Sequence, residues 1–253
     1  MKEIEIINKL LSLTRRYNYI FFTVDMRGFI YNKSINNYDT FFTNLFINLN
    51  KNKKTSIIPA YTFTDKGRFD IYKTKPTLGL LTKWSFEKKN IIRSEHPLFS
   101  CIGLGENRSI LRNIKKSAFG KRSIFDKLYE NKSCMIHLGR PLEMGNTSIH
   151  YVEQMVGATY RFNKLFKTKV YDKNKYIGTD YTVFVRKLLN TEEKDSFVTN
   201  TAKFSKALKL KGLVKEYGDI KKNTNITFLD YKNSIDFMID EFYKDKNIFI
   251  NNI

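Results

Sequence analysis

An α/β fold, with a central mixed β-sheet flanked by helices, is what this sequence predicts, and three observations predict it. Short apolar runs of strand type recur at residues 19–24, 56–58 and 133–138. Between and after them lie stretches whose apolar residues repeat at helical spacing. Hydrophobic residues make up 42% of the 253 positions and aromatics 15%, which is enough buriable surface for one large core and too much for a disordered chain. No internal repeat and no long linker divides the sequence, so residues 1–253 are expected to form a single domain.

The elements follow in order. Ile4, Ile7, Leu10, Leu11 and Thr14 line one stripe, which predicts an opening helix over residues 3–15. Residues 19–24 then read as a buried strand that ends at Asp25-Met26-Arg27-Gly28, where Gly28 permits a turn. Asn37 or Asp39 can cap the next helix, whose stripe is Phe41, Phe42, Leu45, Phe46 and Leu49. Ser56-Ile57-Ile58 is a strand stopped by Pro59, and Tyr61-Thr62-Phe63-Thr64 lies where its end meets a loop. Residues 133–138 repeat that form and stop at Gly139-Arg140-Pro141. Asn146-Thr147-Ser148 opens a helix that carries His150, Val152, Glu153, Met155 and Val156. Residues 164–187 are basic and aromatic, with a strand-like run from Tyr181 to Val185, and a polar connector covers residues 190–194. A helix through Phe204 and Leu210 stops at Lys211-Gly212, and Ile235, Met238, Ile239 and Phe242 set a last helix behind an Asp230 cap.

Composition removes several function classes. Two cysteines, Cys101 and Cys134, build neither a disulfide framework nor a cysteine zinc site; both read as core residues of a reducing compartment, and no metal is expected. No run approaches the length of a membrane span, and Lys2, Glu3 and Glu5 do not make a secretory signal, so a cytoplasmic protein is expected. The dinucleotide, phosphate-loop, zinc-helix and nucleophile-elbow fingerprints are all missing. Forty-five Lys and Arg against twenty-five Asp and Glu leave a net charge of +20, which points to a partner carrying phosphate. Abundant Lys, Asn and Ile also reflect an AT-rich coding sequence, which lowers the weight of charge alone.

Three histidines are the candidates for a base near neutral pH. His137 sits inside a strand and reads as packed. His96, in the polar loop Arg93-Ser94-Glu95-His96-Pro97, either holds that loop or touches a substrate. His150 and Glu153 share a helix face at i and i+3, where a carboxylate can fix the imidazole tautomer; spacing alone favours an ordinary surface pair.

A set of motifs in register raises the functional reading of the pair. Arg93-Ser94-x-His96-Pro97-x-x-Ser100 is followed by Phe119-Gly120, Ser123-x-Phe125-x-x-Leu128, Leu138-Gly139, Asn146-Thr147-Ser148-Ile149-His150-x-x-Glu153 and Tyr160-Arg161. Upstream stand residues 20–27, Ile57-Ile58-Pro59 with Tyr61-Thr62-Phe63, and Pro76-x-x-Gly79-x-Leu81. In order and spacing the string resembles the aminoglycoside 3-N-acetyltransferase family. The resemblance implies that family's α/β fold and acetyl-CoA-dependent transfer to a sugar amine. It implies His150 as general base with Glu153 as its acidic partner. It implies CoA contacts at Asp25, Arg27, Gly28, Tyr61, Thr62, Phe63, Arg93, Ser94 and Ser100, and acceptor contacts at His96, Thr147, Arg161 and Lys164. Thr147, Ser100 and Thr62 are sources of hydroxyl donors for the oxyanion.

Departures from the family pattern bear on the acceptor. Where drug-modifying members carry His-Ser-Ser after the first strand, this chain has Thr23-Val24-Asp25. Between residues 161 and 190, eight cations (Arg161, Lys164, Lys167, Lys169, Lys173, Lys175, Arg186, Lys187) face two acids, Asp172 and Asp180. Such a stretch disfavours a polycationic drug and favours a nucleotide-linked amino sugar of the kind used for surface polysaccharide, whose pyrophosphate seeks cations. An aminoglycoside acceptor is the alternative expectation. A non-enzymatic nucleic-acid-binding protein is the third, with basic and aromatic residues interleaved over 161–171.

Overall fold

The computed structural model describes residues 1–65, 67–187 and 199–251. Its centre is a seven-stranded mixed sheet. In chain order the strands are β1 (Tyr19–Val24), β2 (Thr55–Pro59), β4 (Ile92–Arg93), β5 (Cys101–Leu104), β6 (Ser133–Leu138), β11 (Val214–Asp219) and β12 (Thr224–Asp230). Across the sheet they run β11-β12-β6-β1-β2-β5-β4. The three central strands are parallel, with Val24 opposite Leu138 and Phe21 opposite Ile57; the flanking pairs are antiparallel.

Side chains alternate across the sheet and feed two cores. Ile20, Phe22, Ile58, Cys134, Ile136 and Phe228 pack beneath α1 (Glu3–Thr14) and α3 (Tyr38–Lys51). Phe21, Ile57, Met135 and Leu229 point the other way, toward α5 (Ile124–Glu130), α6 (Ser148–Met155) and α8 (Tyr231–Lys244). All six β6 residues are buried. Such a strand is covered on both faces, which is why it reads as a continuous apolar run. The expected caps form: Asn37 accepts from Asp39 and Thr40 N–H, and Asp230 accepts from Asn233 N–H. α1 buries Ile6, Ile7, Leu10 and Thr14 but leaves Ile4 61% exposed, so the stripe is rotated from the expected one.

One position differs from expectation for a steric reason. Gly28 lies inside a short helix, α2 (Arg27–Tyr31), and a Cβ there would sit 2.2 Å from the Asn223 carbonyl oxygen; the glycine permits close packing, not a turn. The basic stretch after residue 160 folds away from the main sheet. Within it β7 (Arg161–Phe166) pairs with β10 (Tyr181–Arg186), while β8 (Lys169–Asp172) pairs with β9 (Lys175–Gly178) and with β3 (Arg68–Asp70). The helices α4 (Leu80–Phe86) and α7 (Thr201–Leu210) complete the set, α7 ending at Gly212 with φ +74°. The polar connector expected at residues 190–194 lies outside the described residues.

Because β1 has parallel neighbours on both sides, the chain leaves its carboxyl end toward β2 and returns later to β6. A crevice opens at such a switch point, outside the carboxyl ends of the strands.

Candidate active site

Asn146 begins the site. Its Oδ1 accepts from the backbone N–H of Ser148 at 3.1 Å and from the Ser148 hydroxyl at 2.5 Å, which ties down the start of α6. One turn on, His150 Nδ1 lies 2.8 Å from Glu153 Oε2. Glu153 is sealed from solvent, whereas the His150 side chain is 25% exposed. The chain turns at Gly157, φ +64°, and brings Arg161 back so that its Nε stands 2.6 Å from the same Glu153 oxygen. Arg161 Nη1 donates to the Phe184 carbonyl at 3.0 Å. Burial pushes the Glu153 carboxyl up, but His150 and Arg161 together outweigh it and hold the group below the usual carboxylate range. An ionised Glu153 fixes the proton of the imidazole on Nδ1, leaving Nε2 with its lone pair. Among the described residues Nε2 has no hydrogen-bond partner. The ring is steadied edge-on by Phe119, centroids 5.3 Å apart.

His150 lines a cavity of about 330 Å³ at the switch point. Thr23 and Val24 come from the end of β1, Pro59 from the end of β2, and Arg140 from just beyond β6. Tyr61, Leu78, Leu81 and Thr147 supply further wall. Arg140 and His150 are its titratable groups besides the Tyr61 phenol, and among the described lining residues none is a carboxylate. Burial raises the Tyr61 phenol far above its ordinary pKa, so it stays protonated beside Thr147. Burial also pulls Arg140 down, with Asp25 partly opposing; its Nη2 donates to the Met144 carbonyl.

A model of the family "aminoglycoside 3-N-acetyltransferase" matches residues 50–242. The chain belongs to this family. Membership makes it an N-acetyltransferase, and solved members of the family share its fold. The aminoglycoside acetyltransferase AAC(3)-Xa is 13% identical, with 96% of this chain and 93% of that one covered at a TM-score of 0.78. AAC-VIa bound to sisomicin is 13% identical with 96% and 98% covered and a TM-score of 0.76. AAC-IIIb as a binary complex with CoASH is 14% identical with 96% and 97% covered and a TM-score of 0.74. No curated protein sequence gives a significant match. Among the described residues no helix is long and apolar enough to cross a membrane.

Of the residues that the family resemblance singled out, the structure gathers His150, Glu153, Arg161, Thr147 and Tyr61 in and around the cavity. It turns others inward. Arg93 donates to the carbonyls of Ile71, Thr74 and Ala60 and to the Ser100 hydroxyl. Ser100 in turn donates to Ala60, and the Ser94 hydroxyl accepts from Cys101 N–H. His96 Nδ1 accepts from Leu98 and Phe99 N–H, and its Nε2 donates to the Thr182 carbonyl. Burial lowers the His96 pKa to about 4, so it is a neutral clamp. Thr62 donates to the Pro97 carbonyl. These five groups, expected to touch CoA or acceptor, are spent on their own loops. Arg161 is likewise a buried partner of Glu153, not an open cation.

Five further expectations shift as well. Asp25 and Arg27 pair with each other at 2.5 Å on the surface, outside the lining of the cavity, and Gly28 is packed against Asn223. Phe63 is 54% exposed at φ +51° and meets Tyr61 and Phe99 edge-on. Lys164 lies exposed on β7, its Nζ 5.4 Å above the Phe166 ring. The sequence reading missed Thr23 and Arg140 as cavity residues. The signal for both was positional: each sits at the carboxyl end of a parallel central strand.

Proposed function

We propose that this chain, acting as one domain, transfers an acetyl group from acetyl-CoA directly to an amine of an aminoglycoside. The observation that carries the reading is the His150–Glu153 pair, with Nδ1 committed and Nε2 open at a cavity on the switch point. The cavity fits the acyl donor: its walls are mostly apolar, as the neutral pantetheine arm requires, and Arg140 gives it a positive charge suited to an anionic cofactor. Acetyl-CoA supplies the thioester carbonyl that the amine attacks. Nε2 of His150 takes the proton as the amine nitrogen bonds to that carbonyl, and Glu153 stabilises the imidazolium that results. The proton then passes to the departing thiolate. Thr147 offers a hydroxyl within the cavity where negative charge develops on the carbonyl oxygen. Both cysteines are buried and take no part.

A nucleotide-linked amino sugar is the competing acceptor. Its support was the density of cations after residue 160, and two of them no longer serve it: Arg161 is engaged by Glu153, and Lys164 lies outside the cavity lining. Solved relatives bound to an aminoglycoside favour the drug-like acceptor. Thiol release from acetyl-CoA, measured with sisomicin and gentamicin beside dTDP- and UDP-linked amino sugars, separates the two. Turnover confined to the nucleotide sugars refutes the aminoglycoside reading. His150→Ala should lower turnover by about a hundredfold or more with little change in CoA affinity; retained turnover removes His150 from the mechanism.

A further inference from the structure

Thr23 is the cavity residue whose chemistry is most constrained. It stands opposite His137 in the β1–β6 register, and its Oγ1 is 2.8 Å from His137 Nδ1. His137 is wholly buried, and its other ring nitrogen, Nε2, lies 3.0 Å from the Met135 sulfur. A thioether can only accept, so the ring satisfies both nitrogens in one way: Nε2 carries the hydrogen and Nδ1 the lone pair. Burial, reinforced by nearby Arg140, lowers the His137 pKa to about 3, so the ring does not gain a second proton near neutrality.

The consequence passes to the threonine. Its single hydroxyl hydrogen must point at Nδ1, which leaves only lone pairs for the cavity that Thr23 lines. A ligand group meeting Thr23 therefore has to be a donor. An ammonium is a poor match, because among the described lining residues no carboxylate offsets its charge and Arg140 adds a like one. A neutral amide N–H fits, and the apolar neighbours Phe22, Val24, Pro59 and Leu81 suit the hydrocarbon between two amides.

We propose that Thr23, its hydroxyl locked as an acceptor by His137, takes a hydrogen bond from an amide N–H of the pantetheine arm. His137 acts as a positioning residue behind it. The inference rests on the reading that this cavity holds CoA. It makes the cavity selective for acyl donors that keep the amide, whatever acyl group they carry.

The test combines variants with donor analogues. Thr23→Val, nearly isosteric but without the acceptor, should raise the KM for acetyl-CoA and the Kd of CoA roughly three- to tenfold, with kcat changed far less. Thr23→Ser should recover most of that loss. Acetyl-CoA analogues in which one or the other pantetheine amide N–H is replaced by an ester oxygen should show a similar penalty with the wild-type enzyme for one of the two positions, and almost none with Thr23→Val. His137→Leu frees the hydroxyl to rotate, so it should weaken CoA binding by a smaller factor that does not add to Thr23→Val. Unchanged CoA affinity in Thr23→Val, or full discrimination between amide and ester by that variant, overturns the proposal while leaving the acetyltransferase reading intact. A wild-type protein that binds no CoA at all refutes both.

Discussion

Arg161→Ala probes the coupling between the fold and the base. In the native protein the guanidinium and the Glu153 carboxylate stand 2.6 Å apart, 6% and 0% exposed. Truncating the arginine leaves a buried carboxylate with His150 as its remaining ionic partner and removes the donor to the Phe184 carbonyl. Breaking a buried pair in this way costs about 3–5 kcal/mol. At about 2–4 °C of melting temperature per kcal/mol for a domain of this size, the midpoint should fall by roughly 6–20 °C. The pH dependence carries the sharper information. Burial raises the Glu153 pKa and is outweighed by His150 and Arg161, so the folded value is depressed. A depressed carboxylate contributes stability that is complete above its unfolded pKa and is lost as pH falls through its folded value. Without Arg161, burial is opposed by less, the folded pKa rises, and the loss begins at higher pH. The acid limb of kcat/KM should move the same way, because protonated Glu153 no longer stabilises the imidazolium. Melting followed by circular dichroism over a pH series, together with the pH–rate profile, checks both. A lower midpoint with an unmoved acid limb would show that Arg161 only holds β7 to α6. An unmoved midpoint would refute the buried pair itself.

Three other outcomes follow from the same structure. Arg93→Met removes the donor to three buried carbonyls, each costing about 1–3 kcal/mol when orphaned, and should lower the melting temperature sharply while the KM for acetyl-CoA stays near the wild-type value; a selective loss of CoA binding would return Arg93 to the site. Gly28→Ala sets a methyl 2.2 Å from the Asn223 carbonyl oxygen and should cost about 1–3 kcal/mol or more in chemical denaturation, with no gain from added helix propensity. With a net charge of +20, kcat/KM for a polycationic aminoglycoside should rise as salt screens long-range repulsion, whereas that for an anionic nucleotide sugar should fall; stopped assays over a salt series measure the slope for each.

The central strands and the helices that cover them were legible because their signals are local. β1 and β6 are buried on both faces and therefore spell continuous apolar runs, while α3 and α8 carry a cap and a stripe within a single window. β4 is two residues long, and β11 is half-exposed with charged residues in its middle, so neither stands out from a loop by periodicity. Gly28 was misread for a related reason. A glycine needed for a turn and a glycine needed for close approach look alike until the opposing backbone, here Asn223, is in position.

The site divides along the same line. His150 and Glu153 are three residues apart on one helix, so their contact is a property of the helix and could be read directly. Arg161 reaches Glu153 only because the chain turns at Gly157 into β7, and a cation whose partner is a buried carboxylate looks in sequence like a cation awaiting substrate. The loop from Arg93 to Ser100 posed the converse problem. Its dense donors and acceptors suggested ligand contacts, yet the carbonyls of residues 60–74 needed exactly such donors, and a buried backbone carbonyl has as strong a claim on a guanidinium as a bound ligand has. Thr23, His137 and Arg140 show what remains once those demands are met. All three lie at or near the ends of adjacent parallel strands, two sheet positions that are 114 residues apart in the case of Thr23 and His137. Strand order alone makes them neighbours, so the cavity's polar character is a consequence of topology, whereas the base that works in it is a consequence of one helical turn.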